Sequence, residues 1–75
     1  ELAIDAKYQG KGVGARALNE LLDFMISNYN VKCFTTTYVW GNEIAKRLYE
    51  KAGFIETDVV EEDEYKEVNM IYSVQ

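Results

Sequence analysis

Three glycines, Gly10, Gly12 and Gly14, alternate within Gln9-Gly10-Lys11-Gly12-Val13-Gly14-Ala15, and what flanks them constrains the fold more than any other feature. Upstream, Leu2, Ile4 and Ala6 alternate with Ala3 and Asp5, the period of a short strand. Downstream, Ala17, Leu18, Leu21, Leu22, Met25 and Tyr29 recur at steps of three and four. They form one apolar face of a helix running from about Gly12 to about Asn28. A glycine loop between strand and helix lets the main chain turn tightly and approach a ligand, because no Cβ intervenes. The first helical N–H groups lack partners within the helix, and the macrodipole adds partial positive charge there. That end suits a phosphate, with Lys11 and Arg16 at its rim. A glycine-rich turn that binds nothing fits the same residues.

The remaining elements follow in order. Val31 to Val39, rich in Val, Phe, Tyr and Thr, reads as a strand. Trp40-Gly41-Asn42 breaks it, and Ile44, Ala45, Leu48, Tyr49 and Ala52 mark a second helix. Asn42 stands at its N-cap and Gly53 just past its end. Phe54 to Val60 reads as a third strand, Glu61-Glu62-Asp63-Glu64 as a solvated turn, and Tyr65 to Val74 as a fourth strand antiparallel to the third. The order is β-α-β-α-β-β: an α/β chain with a mixed sheet whose first crossover joins parallel strands and should be right-handed.

Composition removes several functions. With no His and Cys33 alone, neither a disulfide within the chain nor a zinc site of those ligands can form, and Ser-His or Cys-His catalysis is excluded. We expect no metal, a reducing cytoplasmic setting, and a small core position for Cys33. No apolar run is long enough to span a membrane. The net charge of −5 is uneven: residues 54–75 carry seven acidic side chains and only Lys66, whereas residues 1–53 are nearly balanced. An acidic chain is a poor partner for nucleic acid, whose binding depends on phosphate neutralisation. A small polyanion near the basic side chains of the first part is compatible with that balance.

The glycine spacing does not fit the common nucleotide loops. A Walker loop needs Lys followed by Ser or Thr after its last glycine, and Gly14 precedes Ala15-Arg16. A dinucleotide fingerprint needs Gly-x-Gly-x-x-Gly. Gln9-x-x-Gly12-x-Gly14, after the strand Leu2-Ala3-Ile4-Asp5 and Tyr8, instead resembles the Gln/Arg-x-x-Gly-x-Gly/Ala signature of GNAT acetyltransferases. Further on, Asn42-x-x-Ala45-x-x-Leu48-Tyr49-x-x-x-Gly53-Phe54 resembles that family's second signature. The two stand in the family's order and separation, and the resemblance covers the whole chain.

The resemblance implies that residues 1–75 are the C-terminal portion of one acetyltransferase domain that moves an acetyl group from acetyl-CoA to a primary amine. It places the pantetheine arm along Leu2, Ala3 and Ile4, and the pyrophosphate on Gln9, Gly10, Lys11, Gly12, Val13, Gly14 and Ala15. It puts the Asn42 amide against pantetheine. It also makes Tyr49 the acid that protonates the departing CoA thiolate, a role open to a phenol that keeps its proton at neutral pH. The residues alone place Tyr49 in the core and make Asn42 a cap and Gly53 a helix terminator. Many members that acetylate protein N-termini carry a Glu five positions before the Asn; Thr37 stands there, so the base is unassigned. The partners implied are acetyl-CoA and an amine acceptor, and the unpaired edge of the first strand is open to a second copy of the chain. The competing reading is a CoA-binding or dimerising half-domain without turnover, and a weaker one a generic phosphate-ligand domain.

Overall fold

The computed structural model describes residues 3–5, by their backbone, and residues 14–74. The expectations for Leu2, Gln9, Gly10, Lys11, Gly12 and Val13 lie outside them. The elements are β1 (Ala3–Asp5), α1 (Ala15–Tyr29), β2 (Cys33–Val39), α2 (Glu43–Ala52), β3 (Ile55–Glu62) and β4 (Tyr65–Ser73). They form one sheet in the order β1-β2-β4-β3. β1 and β2 are parallel, while β4 is antiparallel to both β2 and β3. The β-α-β-α-β-β mixed α/β order read from the sequence is therefore the architecture.

Alternation along the strands divides the sheet into two unlike faces. Phe34, Thr36 and Tyr38 of β2 are buried and sit opposite Tyr72, Met70 and Val68 of β4. With them cluster Leu18 and Leu22 of α1, Ala45 and Tyr49 of α2, Val31 and Phe54. Both helices thus cover the same face. Removing a side chain of this size from water contributes about 1.5–3 kcal/mol, and this face holds the whole buried core among the described residues. The other face carries Cys33, Thr35 and Thr37 of β2 beside Asn69 and Ile71 of β4, all partly exposed.

Four rings run in series through the core. Tyr49 meets Phe54 edge-on at 5.6 Å, Phe54 lies 5.7 Å from Tyr72, and Tyr72 stacks on Phe34 at 6.0 Å. The turn after α2 allows this. Gly53 takes φ 111°, where a side chain is strained, and a Cβ there would meet the Tyr72 ring at 3.0 Å. Asn30 closes α1 in the left-handed conformation that Asn tolerates.

Several boundaries and faces differ from the sequence reading. α1 starts at Ala15 rather than near Gly12, and Leu21 and Tyr29 of its expected inner face are exposed, Ile26 packing inward instead. Ile44, expected inward on α2, is 82% exposed because it sits in the first turn, beyond the edge of the core. Cys33 is half-buried rather than a core residue, since alternation sends Phe34, its neighbour, to the helices. β3 runs on through Glu61 and Glu62, leaving only Asp63 and Glu64 in the turn; pairing with Lys66 and Tyr65 of β4 outweighs the local repulsion.

Candidate functional site

Among the described residues, β1 pairs with β2 at Ala3↔Cys33, Ile4↔Phe34 and Asp5↔Thr35, whereas β4 follows the opposite edge of β2 as far as Val39. From Thr36 onward, that first edge has no strand partner among the described residues. A helix joining two parallel strands runs back against them, so α1 begins toward their carboxyl ends. α2 begins there too, directly after β2. Ligands of open α/β sheets bind at such ends.

Gly14 is the N-cap of α1 and makes no side-chain cap. The first intrahelical bond runs from Leu18 N to Gly14 O at 3.1 Å, so the amides of Ala15, Arg16 and Ala17 have no acceptor within the helix. No acidic residue occupies the first turn. Gly14 has φ −81°, which any residue adopts, and a Cβ there would meet nothing within 4 Å. Its glycine keeps this helix end open rather than relieving strain. Arg16 is paired with Glu20 at 3.3 Å on the exposed side of the helix, not gathered at the rim.

On α2, Asn42 caps the helix, its Oδ1 accepting from Ala45 N at 3.1 Å. That bond uses the oxygen and leaves the amide N–H groups on an exposed side chain. Tyr49, nearly two turns on, is fully buried in the aromatic series. Ala3 and Ile4 lie in β1, and Gly14 and Ala15 lie at the start of α1.

The Acetyltransferase (GNAT) family matches residues 1–54. The chain belongs to this family. GNAT folds also appear among the solved structures it resembles. One is a variant of the spermidine N-acetyltransferase SpeG from Vibrio cholerae, at 23% identity and a TM-score of 0.76, covering 92% of this chain and 49% of that one. Another is AAC(6')-Ib in complex with ribostamycin and coenzyme A, at 30% identity and a TM-score of 0.68, covering 85% of this chain and 36% of that one. The same enzyme with acetyl-CoA matches equally well. The chain spans half the length of these proteins or less. A search of curated proteins by sequence finds no match.

Two polar features of this GNAT chain were not legible as sites. On the helix side, the Tyr38 hydroxyl donates to Glu56 Oε2 at 2.6 Å, closing one wall of a pocket of about 160 Å³ with Trp40 and Lys46. Burial first, and then the Glu56 carboxylate, push the Tyr38 phenol far above the ordinary tyrosine value. Lys66 Nζ rests over the Trp40 ring at 3.7 Å.

On the face that no described helix covers, a depression of about 340 Å³ is lined by Thr35, Thr37, Thr57, Asp58, Asn69 and Ile71, among others. A β-bulge creates its far wall: β3 pairs regularly up to Glu56↔Met70 and resumes at Asp58↔Asn69, so Thr57 is an extra residue. Asp58 Oδ1 accepts from Asn69 Nδ2 at 3.2 Å and from Thr57 Oγ1 at 2.9 Å, and Oδ2 accepts from the same amide at 3.3 Å. The one sequence signal was polar Thr57-Asp58 interrupting the strand. Register across three strands cannot be read from such a dipeptide.

No described helix is long and apolar enough to cross a membrane. Among the described residues no group of three or more His, Cys, Asp or Glu side chains could hold a metal ion.

Proposed function

We propose that residues 1–75 form the acetyl-CoA-binding, C-terminal part of an amine N-acetyltransferase domain. The observation that carries this reading is the family match over residues 1–54, on a parallel β1-β2 pair joined by α1, whose first amides have no acceptor within the helix. An extended pantetheine arm lies along β1 as an added strand, taking main-chain hydrogen bonds from Leu2, Ala3 and Ile4. The diphosphate rests on the amides from Gln9 to Ala15 (Gly10, Lys11, Gly12, Val13 and Gly14 between them), the anion-seeking end of α1. Asn42 offers its amide N–H to the arm. The solved neighbours named for spermidine and for aminoglycosides, and those holding coenzyme A or acetyl-CoA, agree in class.

In this reading an uncharged amine nitrogen attacks the thioester carbonyl carbon, a C–N bond forms and the C–S bond breaks. The departing sulfur takes the phenolic proton of Tyr49, and the nitrogen releases its own proton to solvent. Tyr49 then regains a proton from water. No covalent enzyme intermediate is needed, so the lack of a Ser-His or Cys-His pair is no obstacle.

One observation favours the second reading, a CoA-binding module without turnover: Tyr49 has no solvent-exposed surface. Calorimetry with CoA and acetyl-CoA, followed by thiol release with a panel of amines, separates the two. For the enzyme, Tyr49→Phe keeps cofactor affinity and loses turnover by about a hundredfold or more. Cofactor binding without turnover by the intact protein establishes the module, and no binding of either nucleotide sinks both.

A further inference from the structure

We propose that the pocket between β2, α2 and β3 binds a small zwitterion, a free α-amino acid, at a site apart from acetyl transfer. Tyr38, Trp40, Gly41, Glu43, Lys46 and Glu56 enclose about 160 Å³. None of the residues assigned to the cofactor or to proton transfer lines it. It lies on the face that α1 and α2 cover, beside β3, at the end of the described sheet opposite β1. Register explains how a carboxylate comes to stand there. Glu56 pairs with Met70 and Met70 with Thr36, so the Glu56 side chain shares the face of Thr36 and Tyr38. A glutamate on the face that carries the core is a poor choice for stability alone. Buried Tyr38 donates to its Oε2 at 2.6 Å and holds the carboxylate, while Oε1 has no partner among the described residues.

The charges around the pocket select the ligand. Lys46 of α2 is half-buried and, like Glu43 and Glu56, makes no ion pair among the described residues, although all three line one small space. A charge partly withdrawn from water is costly until it is answered. An anion alone would meet two carboxylates, and a cation alone would meet the Lys46 ammonium. A molecule carrying both charges answers each. Its ammonium donates to Glu56 Oε1 and to Glu43, and its carboxylate accepts from Lys46 Nζ. Trp40 supplies an apolar wall for the side chain, and Lys66, over its ring at 3.7 Å, steadies that wall. The volume limits the ligand to a single amino acid rather than a peptide. An ammonium held between carboxylates keeps its proton. It is then no nucleophile, and the ligand is bound rather than acetylated. The inference therefore stands beside the acetyltransferase reading and not upon it.

The test titrates glycine, L-leucine and L-phenylalanine in turn into the intact protein, by calorimetry and by N–H chemical shifts. Each runs beside the amine and the carboxylate that keep only one of its charges (for leucine, 3-methylbutylamine and 4-methylpentanoate). We expect saturable binding of at least one, with shifts at the Trp40 indole and at the amides of Gly41, Lys46 and Glu56. Its single-charge analogues should bind about tenfold more weakly or worse. Lys46→Gln and Glu56→Gln should each weaken the amino acid by about ten- to hundredfold, the worth of one charge-assisted hydrogen bond. Glu56→Gln keeps an acceptor for the Tyr38 hydroxyl, and Lys46→Arg keeps the charge. A loss in the first and a recovery in the second therefore mark charge rather than folding. Absence of shifts at these residues with all three, equal binding of the single-charge analogues, or displacement by CoA overturns the proposal. CoA titrated alone judges the acetyltransferase reading and leaves this one standing.

Discussion

The two faces of this sheet are made by the same strands, one residue apart, yet they serve unlike ends. On one, Phe34, Tyr38, Val68 and Met70 are sealed beneath α1 and α2; on the other, Thr35, Thr37, Asn69 and Asp58 stand around a polar depression. Alternation with period two lets a short chain separate the side chains packed beneath its helices from those on the other side of the sheet. Substitutions on the first face should therefore cost stability, and those on the second should cost little.

The contrast breaks most visibly at Phe34, 1% exposed and stacked on Tyr72. Phe34→Ala should cost about 3–5 kcal/mol, a large share of a total of roughly 4–11 kcal/mol for a chain of this size. Denaturant titration should find its midpoint sharply lowered. Gly53→Ala comes next, at about 2 kcal/mol for a strained backbone, raised further by the Tyr72 ring 3.0 Å from the new methyl group. An unchanged melting temperature would refute the geometry of that turn.

Tyr38→Phe sharpens the contrast through pH. The Tyr38 pKa is raised by burial and by Glu56, so the folded chain keeps this proton where the unfolded chain loses it. The stabilisation is whole below the ordinary tyrosine value of about 10 and declines as pH rises above it. Tyr38→Phe should cost about 1 kcal/mol at neutral pH and should flatten the alkaline part of the stability curve. Equal alkaline slopes would count against the hydrogen bond to Glu56.

The smallest effects separate two adjacent threonines. The Thr36 hydroxyl is buried with no hydrogen-bond partner among the described residues, so Thr36→Val should be neutral or gain about 1 kcal/mol. Thr37→Val, on the uncovered face, should stay within about 0.5 kcal/mol. Chemical denaturation of both variants decides it, and a marked loss in Thr36→Val would show that the hydroxyl has a partner after all.

Element order was legible because it rests on local periodicity and punctuation. Asn42 and Gly53 bracket α2 where cap chemistry demands, and the apolar steps of α1 mark a helix. What resisted reading was decided by contacts distant in sequence. Glu61 and Glu62 belong to a strand because β4 pairs with them, and Ile44 is exposed because the core ends before it. Of the candidate site, Asn42 and Tyr49 were visible as parts of a spaced signature, and the structure adds a cap bond to the first and full burial to the second. The trio of Thr57, Asp58 and Asn69 was invisible, since it exists only once a bulge offsets two strands.

The rings of Tyr49, Phe54, Tyr72 and Phe34 touch in succession, from a helix to the middle of the sheet. Such a file behaves like a strut: none of its members can swing without displacing the next. The orientation of the Tyr49 phenol is thus inherited partly from β4, which lies on the other side of β2 from β1, and a bulkier or smaller side chain at Tyr72 would retune the hydroxyl from a distance.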